Sequence, residues 1–195
     1  MGELLAFLKS ETTWAIVSAL SGAVAALAAM VTVYQAVTAA RADREAKRPY
    51  FTIEAPGIKP LPSSPPYRIQ ITMQNVGAHP ATALEGKISF VDAALAAKPA
   101  YTFDFSVAND VPSGSPTPWY NDSVMLPNNV PPMYVILAVS YRDDIIGRGY
   151  SQEFYMKWQG VENGQTHPDF VHVSASEKVR IEEAVRNEIA DIRRR

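Results

Sequence analysis

From residue 12 to residue 40 the chain carries no charged side chain, and these 29 positions hold mainly Ala, Val, Leu, Ile and Met with no proline. An α-helix rises about 1.5 Å per residue, so about 20 residues cross a hydrocarbon core of about 30 Å. The pattern predicts a membrane-spanning helix that is apolar on every face. Trp14 and Tyr34 lie twenty residues apart. On a helix that is about 30 Å, which places one amphipathic ring at each membrane interface. Ser18, Gly22 and Ala26 follow one another at intervals of four. They form a small-residue face through which two such helices can approach closely in lipid, the alternative being a plain alanine-rich anchor.

A cleaved signal peptide is the competing reading, since Val37-Thr38-Ala39 resembles a cleavage site. Signal peptides carry a basic leading region and an apolar stretch of about 7–15 residues. Here the first eleven residues hold Glu3, Lys9 and Glu11, and the apolar run is too long. A permanent anchor is expected. Arg41, Arg44, Lys47 and Arg48 follow the apolar run, whereas Lys9 alone precedes it. Basic flanks are retained on the cytoplasmic side, so the part after the helix is expected in the cytoplasm. These four residues also suit anionic headgroups, at about 1 kcal/mol each near the surface. Residues 41–47 favour helix and Pro49 disfavours it, so a continuous helix over 12–47 is expected.

Beyond Pro49 the period of the pattern changes from helical to alternating. In residues 67–74, Ile69, Ile71 and Met73 alternate with polar residues, which predicts a half-buried strand. Asn75-Val76-Gly77 ends it with turn chemistry. Further strands are expected over 50–54, 82–91, 101–107, 123–126, 133–141 and 150–158, the last two as a hairpin. About seven strands at such intervals suit an antiparallel β-sandwich. Residues 55–66 are proline-rich and are expected to form a stiff extended loop. Gly77 is expected to supply a positive φ, Pro80 to rigidify the reversal, and Asp143 to close the hairpin turn by accepting backbone amides.

The stretch ITMQNVGAHPATAL resembles the strand, Asn-x-Gly, x-x-Pro-Ala, strand segment of bacterial immunoglobulin-like domains of the cell-adhesion type. The stretch PPMYVILAVSYRDDIIGRGYSQEF resembles their later hairpin. The order of apolar helix, basic stretch, Arg-Pro-Tyr and this domain resembles small uncharacterised bacterial single-pass membrane proteins, over residues 12–158. The resemblance implies an immunoglobulin-like sandwich, a bacterial inner-membrane setting, and a binding or scaffolding role without catalytic residues. The long proline-rich loop between the first two strands departs from that pattern.

The tail reads as helix again. Ser174 and Glu177 have capping-box spacing. Ile181, Val185, Ile189 and Ile192 then form a narrow apolar stripe on an amphipathic helix. The stripe is expected either to pack on the chain's own sheet or to serve as a seam for another subunit. Surface binding to a membrane is the weakest alternative, because five acids share the segment. The expected organisation is an N-terminal flank (1–11), a transmembrane and juxtamembrane helix (12–48), a β-sandwich (49–173) and a C-terminal helix (174–195).

Composition narrows the chemistry. The 195 residues are 47% hydrophobic and 19% charged with net charge −2, which excludes a disordered chain. A pI near 5.9 argues against a nucleic-acid partner. The absence of cysteine removes disulfides, thiolate metal sites and thiol nucleophiles. Residues 49–173 carry seven basic and eleven acidic side chains, net −4, while the segments on either side are each net +1. All fifteen prolines fall between Pro49 and Pro168, confining turn-rich structure to the middle. His167, Asp169 and His172 share a loop-like stretch but lack an evident third strong ligand. Asp143-Asp144 has no evident partner base, and no phosphate-cradling or nucleophile-elbow motif occurs. No enzyme activity, metal or cofactor is expected. The expected partners are the bilayer and a protein, or a second copy of this chain. The alternative is a ligand or carbohydrate sensor, for which Trp119, Tyr120 and Trp158 are the recognition candidates.

Overall fold

The computed structural model describes residues 11–62, 66–95 and 98–185. It divides into two compact units, with the boundary between Ala46 and Lys47. The first contains helix α1, Glu11–Ala46, of 36 residues. Every residue from 14 to 44 is exposed, apolar positions included. The helix has no buried stripe because its sequence offers no apolar–polar division.

The second unit is mainly β. Its strands are β1 (Phe51–Pro60), β2 (Tyr67–Asn75), β3 (Thr82–Asp92), β4 (Tyr101–Val107), β5 (Pro116–Val124), β6 (Met133–Asp143), β7 (Arg148–Trp158), and the short β8 (Val161–Glu162), β9 (Gln165–Thr166) and β10 (Val171–His172). They form a three-stranded sheet in the order β1-β2-β5 and a five-stranded sheet in the order β10-β7-β6-β3-β4, with β8-β9 as a separate ribbon. All named pairings are antiparallel. Both larger sheets feed one core. Tyr67, Ile69, Ile71, Met73 and Asn75 alternate as the buried residues of β2. From the other sheet come Leu84, Ile88, Phe90, Val135, Leu137 and Val139. Phe90 lies at the centre, its ring edge-on to Trp158 at 5.7 Å and to Phe103 at 6.1 Å. Gly86 sits on this inner face because the Phe105 ring occupies the place of its side chain; a Cβ there would lie 2.2 Å from Cζ.

Two stretches depart from the sequence pattern. Residues 55–60, expected as loop, continue β1. The register shifts between Glu54 and Gly57, and Ala55 takes φ +44, so a bulge absorbs the first proline. Likewise β5 runs through Pro116 and Pro118 rather than starting near residue 123. Each strand has only β2 as a sheet neighbour; on its outer side β1 meets the 168–170 segment, where Pro56 contributes its carbonyl, as acceptor for the Phe170 amide, and no donor is asked of it.

Beyond β10 lies helix α2, Ala175–Ala184. Ser174 and Glu177 form the expected capping box. Ile181 and Val185 are buried in a second cluster with Val91, Ile136 and Tyr155, on the side of the five-stranded sheet away from the main core. Burying one such side chain contributes about 1.5–3 kcal/mol. Ile189 and Ile192 lie outside the described residues.

Candidate functional site

In α1, Trp14 and Tyr34 are both exposed, as are Ser18, Gly22 and Ala26. A side chain at Gly22 would meet nothing within 4 Å. Three of the hydroxyl groups inside the apolar run are turned back on the helix. Ser21 donates to the Ser18 carbonyl, Thr32 to that of Ala28, and Thr38 to those of Tyr34 and Gln35. Such back-bonding removes donors that hydrocarbon could not satisfy. The helix is long and apolar enough to cross a membrane. Arg41 and Arg44 occupy its C-terminal part.

Lys47 and Arg48 belong to the sheet unit, where residues 47–50 are gripped by a polar collar. The Lys47 carbonyl accepts from the amides of Ala78 and His79, at 3.1 and 2.9 Å. The Arg48 guanidinium lies over the Tyr150 ring, 5.2 Å from its centre. Pro49 is buried and its carbonyl accepts from the Tyr141 hydroxyl at 3.0 Å. Burial pushes the Tyr141 phenol up to about 12, with Arg48 opposing the shift. Gln152 completes this corner, accepting from the Phe51 amide at 2.7 Å and donating to the Phe51 carbonyl.

Asn75 is the hub. It is fully buried. Its Oδ1 accepts from the amides of Tyr50 and Gly77, and its Nδ2 donates to the carbonyls of His79 and Val111. One side chain thus joins the incoming chain, the 76–80 turn and the segment before β5. Gly77 does not adopt the positive φ expected of it. Its requirement is proximity: a Cβ there would lie 2.0 Å from the Arg48 carbonyl oxygen. Asp143 closes the β6–β7 turn by accepting from the amides of Ile145 and Ile146 through one oxygen. Its other oxygen lies 2.8 Å from His79 Nδ1. The carboxylate is fully buried and the imidazole nearly so. Sequence reading assigned the turn role alone, because His79 and Asp143 are 64 residues apart. The signal that could have found the collar was the run Asn75-Val76-Gly77-Ala78-His79-Pro80 itself, too rich in polar and small residues for a bare turn.

The recognition aromatics separate. Trp119 turns inward and its ring packs on Phe105 at 4.7 Å. Tyr120, its neighbour on the strand, turns outward and is 60% exposed. Arg68 covers one face of that ring at 4.8 Å and pairs with Asp122 through two hydrogen bonds. The pair raises the Arg68 guanidinium and lowers the Asp122 carboxyl from their ordinary values. Trp158 is a core residue whose indole donates to the His167 carbonyl at 2.7 Å, so it offers no recognition surface.

The stretch containing both tail histidines is not a free loop. Val171–His172 pairs with β7, Phe170 enters the core, and Asp169 bridges to Gly57. Among the described residues, no cluster of three or more His, Asp or Glu side chains is placed to hold a metal. The gap between the sheets lined by Ile58, Ile69, Phe90, Phe103 and Val124 admits no water molecule. At the tail, Lys157 donates to Glu177 at 2.7 Å. That bond, followed by those from the Ser174 amide and hydroxyl, holds the Glu177 carboxyl down at about 2.

These features define a β-rich antiparallel domain whose first residues, 47–50, are held by a polar collar, preceded in the chain by a helix fit to span a membrane. The chain belongs to the family described as Domain of unknown function (DUF8453), whose family model matches residues 13–162 and so takes in both the helix and the sheets. No curated protein matches the chain.

Proposed function

We propose that this chain is a single-pass membrane protein whose cytoplasmic, immunoglobulin-like β-sandwich serves as a non-catalytic interaction or scaffolding module, in a bacterial inner membrane. The observation that carries the reading is α1: residues 14–40 present an uncharged, fully exposed apolar surface that water would penalise and lipid would not. Two further observations support it. The strand orders β1-β2-β5 and β7-β6-β3-β4 match the A-B-E and G-F-C-C′ arrangement of immunoglobulin-like sandwiches. The family match spans helix and sheets together, over residues 13–162.

The collar ties residues 47–50, the start of the sheet unit, to three separate segments of that unit. Asp143, fully buried, holds two turn amides on one oxygen and His79 on the other, so the pair braces the 76–80 and 143–147 turns against each other. The partner is a protein or a second copy of this chain, with no nucleic acid. A sensor of ligands or carbohydrate is the second reading, favoured by the exposed face of Tyr120.

A carbonate wash tests the anchor, and a C-terminal reporter active only in one compartment tests orientation. Retention in the pellet with a cytoplasmic signal is expected. Intact chain in the supernatant would refute the anchor. A signal from the opposite side would refute the orientation and favour the carbohydrate reading. Affinity capture from detergent extract, with molar mass by light scattering, tests the interaction role; a lone monomer without partner would remove it.

A further inference from the structure

The collar end of the sheet unit has a surface that the anchor reading leaves unused. Three loops meet there. The 76–80 turn is joined to the 143–147 turn by the His79–Asp143 bond. Thr82 Oγ1 reaches Asp144 at 2.9 Å. The 111–115 segment is joined to the first turn by Ser113, whose hydroxyl donates to the Gly77 carbonyl, and by the Gly114 amide on the Asn75 carbonyl. At this end Tyr50, Val76 and Ile145 are 48%, 52% and 62% exposed, although each is a large apolar or aromatic side chain. Val76 and Ile145 stand at the tips of two turns, where polar residues are the rule.

The charge at this end also differs from that of its domain. Residues 49–173 are net −4. Lys47, Arg48, Arg142 and Arg148 gather at the collar, against Asp110 and Asp144, while Asp143 is sealed away from solvent. The exposed balance is therefore positive at one end of an acidic domain. Apolar tips set among basic side chains are the composition of an interfacial lipid contact. Covalent connection restricts what the surface can meet. Lys47, whose carbonyl is held by this end, directly follows the last residue of α1. About six helical residues separate it from the end of the uncharged run, a rise of about 9 Å, comparable to the thickness of a headgroup layer.

We propose that the loop end formed by residues 76–80, 110–115 and 143–148 docks on the bilayer surface, with Val76 and Ile145 entering the headgroup layer. This rests on α1 being the anchor. The contact makes the sheet unit a fixed platform on the membrane and leaves Tyr120 and the far end of the sheets turned to the cytoplasm.

The natural absence of cysteine makes a clean test possible, because each introduced cysteine carries the only label. Full-length V76C, I145C, M125C and A26C are reconstituted in nanodiscs of mixed neutral and anionic lipid and labelled with an environment-sensitive fluorophore. Nitroxide-bearing lipids then quench it from the headgroup or from mid-chain. Met125 is exposed and lies just past Val124, which pairs with Tyr67 at the opposite end of β2 from Asn75. Loss of most of the emission at positions 76 and 145 to the headgroup quencher, with little loss at 125, supports the docking. Quenching of A26C by the mid-chain nitroxide, with position 76 or 145 no more quenched than 125, overturns the docking and leaves the anchor standing. An unquenched A26C overturns the anchor, and the docking with it.

Discussion

Replacing Asn75 by alanine tests the collar at its hub. The side chain is fully buried and makes four hydrogen bonds. Their loss is unequal. The Val111 carbonyl also accepts from Ala81 and keeps that partner. The amides of Tyr50 and Gly77 lose the side-chain oxygen that receives them. A buried donor left unsatisfied costs about 1–3 kcal/mol, so two of them would sum to about 2–6 kcal/mol; because both bonds are only part-buried, the expected destabilisation lies at the lower end, about 2–3 kcal/mol. Against a typical domain stability of about 5–15 kcal/mol that is a large fraction. Denaturant unfolding of the detergent-solubilised chain, followed through the fluorescence of Trp119 and Trp158, should show the midpoint fall. Limited proteolysis should show new cleavage near residues 47–50. Asn75→Asp is the informative companion. It keeps the acceptor for both amides but turns an oxygen towards the carbonyls of His79 and Val111, so it should be no better than alanine. A loss below about 1 kcal/mol for Asn75→Ala, or rescue by aspartate, would refute the account of Asn75 as the collar's hub.

Four further outcomes are expected from the structure. Gly77→Ala should destabilise by about 1–3 kcal/mol through crowding of the Arg48 carbonyl, and thermal unfolding indistinguishable from the parent would count against the close approach. Ile181→Ala should cost about 2–5 kcal/mol and release α2 from the sheet, read as faster amide exchange over 175–185; unchanged exchange would show that the helix does not depend on this side chain. The capped start of α2 should also be pH-sensitive. The Glu177 carboxyl sits at about 2 in the fold against 4.5 when unperturbed. Its contribution is complete above the unperturbed value and is lost as pH falls through that window towards 2, so amide protection at 175–177 should fade there and the fading should largely vanish in Lys157→Met. In α1, Gly22→Ile should thin a crosslinked oligomer ladder if the Ser18–Gly22–Ala26 face joins two helices, and an unchanged ladder would assign that face to a plain anchor.

Much of this architecture is local and was readable along the chain. The helix of residues 11–46 follows from an uncharged run and the helix-favouring residues after it, β2 and β4 from alternating side chains, β6 from its continuous apolar run, and β7 as the hairpin partner of β6. The capping box at Ser174 and Glu177 follows from a spacing of three. Each of these signals is completed within a few residues, so the periodicity of backbone and side chain suffices to express it. The passage of β1 through Pro56 and Pro60, and of β5 through Pro116 and Pro118, was not readable. A proline's missing donor matters only if another strand lies on that side, and that is a property of the assembled sheet. The same holds for the division of Trp119 from Tyr120, which depends on which face of β5 meets Phe105. The collar is the extreme case. Asn75, Gly77, His79 and Asp143 each look like turn residues in their own neighbourhoods. Only when strands separated by tens of residues are brought side by side does one amide become the junction of three segments, and one imidazole the cover of a buried carboxylate. Sequence alone settled the long apolar helix, most of the strands and the capped start of α2; the tertiary structure decided how far the proline-bearing strands extend and how the polar residues between elements are satisfied, because burial creates that demand and distant chain supplies the partners.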